Sequence, residues 1–185
     1  MENQYISMPM VALRGMTILP EMVIHFDVSR SRSIESVQKA MQSNEQKVFL
    51  VAQRELNIEV PAQQDVYEMG CIATIKQVAK MNKDVFRVLI TGEERAKLIN
   101  MTEDIGCLMA DVQVVEDYND YEPANISECP EAKGLQEIFF EYTMKSAKVP
   151  KEVVTQIADI KEFKKLVNQG MIQGRSNFVY RVVGT

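Results

Sequence analysis

Seventeen residues near the start of the chain, Met10 to Phe26, read MVALRGMTILPEMVIHF and are almost all apolar. Gly15 and Pro20 break the run, and Arg14 and Glu21 charge it. A proline inside a helix removes a hydrogen bond and clashes with the preceding turn. A membrane helix needs roughly 18 or more uninterrupted apolar residues. The stretch must therefore be two short extended pieces joined by an apolar turn. Ile6 to Leu13 reads as the first strand, with Pro9 marking an edge or a strand start because proline cannot donate to a ladder. Arg14-Gly15-Met16 and Leu19-Pro20-Glu21 are turn-like. Met22 to Val28 reads as the second strand.

The period then changes. Ile34, Val37, Ala40 and Met41 fall on one face of a helix, and Ser31 or Ser33 is the expected cap of its first turn. Lys47 to Gln53, KVFLVAQ, is a continuous apolar strand of the kind buried on both faces. A long connection follows, from Arg54 to Gly70. Cys71 to Val78 and Asp84 to Thr91 form an expected hairpin with Asn82 at its tip, and Gly92 is expected to close the second strand. RAKLINM and CLMADVQVV add two more, the latter with Ala110, Val112 and Val114 inward. Six or seven short strands with one inserted helix suggest a closed or nearly closed small β-barrel.

Glu116 to Glu131, EDYNDYEPANISECPE, is acidic and poor in apolar residues. It reads as a linker, since its spacing fails the liganding pattern of a calcium loop. Beyond it Leu135, Ile138, Phe139 and Tyr142 form a helical stripe, and Val153, Ile157 and Ile160 continue the period. Asp159 and Glu162 have capping-box spacing ahead of Phe163, Leu166 and Val167. The tail, from Gly170, turns β-prone. The expected organisation is an α+β chain: a β-barrel lobe over residues 5–116, a linker over 117–130, a helical lobe over 131–168 and a tail over 169–185.

Chemistry is poorly signalled. His25 is the only histidine and sits between Ile24 and Phe26, so it reads as a structural side chain. No zinc-ligand spacing, phosphate-binding loop or dinucleotide fingerprint occurs, and no cofactor is expected. The net charge of −5 argues against a non-specific nucleic-acid partner. No apolar run suits a membrane, and no leader is visible at the start. Cys71, Cys107 and Cys129 are widely spaced and read as reduced thiols of a cytoplasmic protein. What remains is apolar excess, with 12 methionines, a side chain suited to surfaces that accept varied partners.

Several motifs in order resemble the amino-terminal domain of the Lon ATP-dependent proteases. They are Pro9, Leu13-Arg14, Leu19-Pro20-Glu21-Met22 and Ser33-Ile34, then Ala52-Gln53, Tyr67 with Gly70, and Gly92 with Arg95 and Ala96. The resemblance covers about Ile6 to Val115 closely and the helical part loosely. It implies a barrel of the PUA-like kind followed by helices. It implies a non-catalytic domain that engages unfolded or damaged polypeptides and takes part in assembling a hexameric protease, whose ATPase and Ser-Lys protease modules lie outside this sequence. A stand-alone adaptor remains an alternative. So do a small β-barrel hydrolase using Glu93 or Asp104, and an RNA-binding PUA-like module, against which the acidity stands. Self-association or contact with the rest of such a protease is the further expected partnership. On the residues themselves, Met16, Ile18, Leu19, Pro20 and Met22 are the expected polypeptide-binding patch. A Gly/Pro turn keeps its backbone near water, and its large side chains would then be exposed; folding of the turn over the barrel as a plug is the competing expectation.

An acidic segment buries little and opens easily. Limited proteolysis is therefore expected to cut first between Asp117 and Ser127, and first cuts within Val85 to Ile90 would contradict the strand reading.

Overall fold

The computed structural model describes residues 5–82, 84–115, 130–145 and 166. Two compact units are present, residues 1–116 and 117–185. The first holds β1 (Ile6–Leu13), β2 (Val23–Val28), α1 (Ser31–Gln42), β3 (Lys47–Ala52), β4 (Met69–Lys80), β5 (Phe86–Asp104) and β6 (Cys107–Val114). Of the second, the described residues hold α2 (Pro130–Lys145) and the helical, buried Leu166. On α2, Leu135 is buried, whereas Ile138, expected on the same inward stripe, is exposed. The remaining helical expectations and the β-prone tail lie outside the described residues.

The strands form one mixed six-stranded sheet in the order β2-β5-β4-β3-β1-β6, and β5 pairs with β6 as well. The described residues make a mostly β fold with few helices, and of the expected helical lobe they hold α2 and Leu166. Only β1 and β3 run parallel, Met10 opposite Phe49 through Leu13 opposite Ala52. α1 lies between β2 and β3 in the chain, and its Val37 and Ala40 pack into the core.

β5 differs from the expectation. Gly92 does not close a strand; the strand continues for 19 residues through it. Its first part pairs with β2 and β4, its last part with β6, and Ala96 and Lys97 pair on both sides. Register shifts against β4 and against β6 let one strand serve both ladders, since bulges bend and twist the strand that carries them.

Two apolar clusters lie on opposite faces of the β1–β3 pair. Val11, Leu13, Val48 and Leu50 face one, together with Ile18, Val37 and Ile90. Met10, Ala12, Phe49 and Val51 face the other, together with Ile72, Leu98 and Val112. Burial on both faces is why β3 is apolar at successive positions. It also explains the opening run: its first strand feeds both clusters, and its turn and second strand feed one.

Two glycines are set by close approach. A Cβ at Gly70 would lie 2.4 Å from the Phe49 ring and 2.6 Å from the Leu50 carbonyl oxygen. At Gly92 it would lie 2.2 Å from the Leu19 carbonyl oxygen, so the turn after β1 is seated directly on β5. Gly92→Ala is expected to cost about 1–3 kcal/mol by forcing those backbones apart, measured by denaturant unfolding. Equal stability of Gly92→Ala and wild type would show that the turn does not rest on β5 in solution.

Candidate functional site

The turn between β1 and β2 is pinned by backbone bonds. Glu21 N–H donates to the Gly92 carbonyl at 2.9 Å, Gly92 N–H donates to Met22 at 2.8 Å, and Met22 N–H donates to Leu19 at 3.2 Å. Polar groups satisfied in this way no longer need water. The side chains follow: Ile18 is 4% exposed and Pro20 is buried, while Met16, Leu19 and Met22 are half-buried. Met16 and Met22 pack against the core that contains Ile18. The expected patch of five exposed apolar side chains is therefore corrected: the turn covers the core, and only the rims of Met16, Leu19 and Met22 reach solvent.

Beside it lies a segment whose apolar side chains were not singled out in the sequence. Leu56 and Val60, on the connection after β3, are 58% and 59% exposed. A Cβ at Gly15 would meet Leu56 Cδ2 at 3.6 Å, which brings this connection against the β1–β2 turn. Tyr67 carries the Arg54 guanidinium over its ring at 4.8 Å and is half exposed. An ELNIEVP stretch has no regular period, so nothing in its pattern separates an exposed Leu or Val from a buried one.

Arg30 ties these pieces together. It follows β2 and sits at the N-cap position of α1, where it makes no side-chain cap. Its guanidinium donates to Gln53 Oε1 at 2.7 Å, to the Glu59 carbonyl at 3.4 Å, and to the Ala12 carbonyl in β1. Gln53 is 4% exposed; its Nε2 donates to the carbonyls of Ile58 and Glu55 at 3.0 and 3.3 Å. Arg14 donates to Ile58 at 3.0 Å and pairs with the Glu59 carboxylate at 3.1 Å. Burial holds the Arg30 pKa below its ordinary value, Arg14 lowers it further, and Glu59 acts in the opposite sense. The expected serine cap is corrected too, since α1 begins at Ser31 and places both Ser31 and Ser33 inside its first turn.

Among the described residues two clefts border this region and a third runs along α1. One of about 320 Å³ lies between β1 and β2, lined by Leu13, Met16, Phe26, Asp27, Arg30 and Arg87 among others. Asp27 and Arg87 are cross-strand neighbours joined at 2.7 and 2.9 Å, and the hydrogen bond from Arg87 holds the Asp27 carboxyl below its ordinary range. A second, about 470 Å³, opens at the start of α1. The third, about 250 Å³, is an apolar groove along α1 bounded by Val78 and Phe86.

The residues weighed for catalysis are not brought together. His25 is exposed on β2, because alternation turns Phe26 and Val28 inward. Glu93 accepts from Thr74 and pairs with Lys47 at 3.5 Å. Asp104, at the far end of β5, pairs with Lys39. Cys71 and Cys107 are buried free thiols, and burial raises the Cys71 pKa to about 11. No helix among the described residues is long and apolar enough to cross a membrane.

Comparison with known proteins agrees on one family. Residues 7–176 match the model of the ATP-dependent protease La (LON) substrate-binding domain. The Lon protease of Lachnoclostridium phytofermentans is 39% identical over 165 residues, which cover 88% of this chain and 20% of that protein. Lon protease 1 of Bacillus subtilis is 29% identical, with 84% and 20% covered. The chain thus spans about a fifth of the length of these relatives. The N-terminal domain of the Mycobacterium avium complex Lon protease has the same fold, with TM-score 0.72 at 15% identity, covering 95% of this chain and 94% of that one.

Removal of the guanidinium should loosen every piece it holds. Arg30→Lys keeps the charge but loses the forked geometry, and is expected to cost roughly 1.5–3 kcal/mol in thermal or denaturant unfolding. Hydrogen exchange should accelerate at Gln53 and Leu56. Unchanged exchange there would show that Arg30 does not hold this connection.

Proposed function

The chain belongs to the Lon substrate-binding domain family, and from that premise we propose that it receives exposed apolar segments of unfolded or damaged proteins for a Lon-type ATP-dependent protease. The observation that carries this reading is the family match over residues 7–176, on a chain that corresponds to one fifth of its full-length relatives. In this reading the chain hydrolyses neither ATP nor peptide bonds, and the chemistry belongs to the remainder of the protease. The circuit of pairings β1–β3–β4–β5–β6–β1 supports a PUA-like barrel as the finer description of the sheet. The proposed division into a barrel lobe over 5–116, a linker over 117–130, a helical lobe over 131–168 and a tail rests on sequence pattern.

The proposed contact surface is the meeting of two loops. Leu56 and Val60 offer exposed apolar area, and the half-buried Met16, Leu19 and Met22 form its inner edge. Ile18 and Pro20 support that edge from beneath. An arrangement of a few exposed aliphatic side chains on a tethered connection suits weak contact with many clients, because each side chain buried contributes roughly 1.5–3 kcal/mol before ordering costs.

Leu56→Ser combined with Val60→Ser is expected to leave unfolding stability within about 0.5 kcal/mol. It should weaken capture of a chemically unfolded model protein by roughly tenfold or more. Wild-type capture by this stable double variant would refute the surface. Failure of the unmodified chain to capture unfolded protein at all, or nucleotide or peptide turnover that co-purifies with it, would refute the function.

A further inference from the structure

The first turn of α1 lacks what a helix start ordinarily has. Its N-cap makes no side-chain hydrogen bond, and no acidic residue lies in the turn. The N–H groups of Ser31, Arg32 and Ser33 have no partner among the described residues. These groups carry the positive end of the helix dipole, yet three arginines stand around them. Arg14 has Glu59 at 3.1 Å and Arg32 has Glu103 at 3.1 Å. Arg30 bonds neutral oxygens and has no carboxylate in ion-pair range among the described residues, with the Glu59 carboxylate, which pairs with Arg14, acting on it from further away.

Ser33 is the independent observation. It is 2% exposed, and its hydroxyl has no hydrogen-bond partner among the described residues. A buried hydroxyl left unpaired is costly and uncommon. One turn further on, Ser36 shows the ordinary arrangement: its Oγ donates to the Arg32 carbonyl at 2.8 Å and accepts from Leu108 N–H at 3.1 Å. Ser33 lines both the cleft between β1 and β2 and the cleft at the start of α1. The second cleft also holds Ser29, Ser31, three arginines (Arg14, Arg30 and Arg32) and one acidic residue, Glu59, whose carboxylate is paired with Arg14.

We propose that the cleft at the start of α1 binds a phosphate group, held by the N–H groups of Ser31 to Ser33, the Ser33 hydroxyl and the guanidinium groups of Arg14 and Arg30. Free helix N–H groups and converging positive charge favour an anion. The number and spread of donors suit the several oxygens of phosphate better than the two of a carboxylate. The phosphate is either a free ion or a phosphorylated side chain on a polypeptide. Val60 and Pro61, which border the same cleft, would contact only the latter. The site does not depend on capture of unfolded protein, and the two are measured separately.

The test is a titration of the ¹⁵N-labelled full chain with inorganic phosphate at neutral pH, against chloride at matched ionic strength. Saturable amide shifts centred on Ser31, Arg32 and Ser33 are expected. Ser33→Ala deletes an unpartnered hydroxyl and should fold normally while weakening binding about tenfold. Ser31→Asp places a carboxylate at the exposed first helical position; it should raise Tm and abolish the phosphate response. Shifts reproduced by chloride, or a response that neither variant alters, would overturn the proposal. A phosphoserine peptide and its unphosphorylated twin separate the sources. Binding of the phosphopeptide at least tenfold tighter than inorganic phosphate, with shifts reaching Val60, assigns the site to phosphorylated polypeptide. Equal affinity for the two assigns it to the free ion, and phosphate-independent binding of both peptides overturns the assignment.

Discussion

A single guanidinium occupies the place where a neighbouring strand would otherwise satisfy β1. The Ala12 carbonyl lies beyond the stretch that β6 covers, which ends at Pro9. Arg30 takes that carbonyl and, with its remaining donors, the side chain of Gln53 and the carbonyl of Glu59. Two parts of the chain distant in sequence are thereby fixed to one planar group: the end of β1, and the end of β3 with the connection that follows it. A forked donor set can do this where a lysine, with its donors at one point, cannot. Desolvation of the charge is tolerated because oxygens surround it. The exposed Leu56 and Val60 are held at the rim by this interaction, since Gln53 and Arg14 both donate to Ile58 between them.

The second constraint is steric. Gly92 lets the Leu19 backbone approach β5, and Gly70 lets the Phe49 ring cross β4. Both positions sit in the one strand pair that carries the register shifts of β4 against β5. Close approach and bulges act together here: the bend they permit lets a strand of 19 residues turn from the β2–β4 side to the β6 side without a break in its ladder.

Much of this was legible from pattern. Period-two alternation in β6 and in Phe86, Val88 and Ile90, the apolar continuity of β3 and the α1 stripe at Ile34, Val37, Ala40 and Met41 all report burial that the fold realises. The family could be read from motifs spread over the first 115 residues. The β1–β2 turn could not be read in the same way. Its burial depends on bonds from Glu21 and Met22 to Gly92, some seventy residues away, and no local rule supplies that partner. Gly92 misled for the same reason: a glycine in a strand signals an end or a close approach, and only the position of Leu19 decides between them. Arg30 gave no signal as a clamp, because its acceptors are mostly backbone carbonyls, which every sequence has. Leu56 and Val60 were invisible because an irregular connection has no face.

The pairing of β1 with β6 has a consequence for how this domain comes into being. Ile6 sits opposite Val112, about a hundred residues later in the chain. At a ribosome adding roughly 5–20 residues each second, the first strand emerges several seconds before its neighbour exists. During that interval Met8 and Met10, buried in the finished fold, have no complete core to enter, and the strand edge stands open to any other extended chain. Non-local closure of this kind also slows folding itself. A domain of a substrate-binding family thus begins each of its own molecules as an open, incompletely folded chain, and β6 is the segment that ends that state.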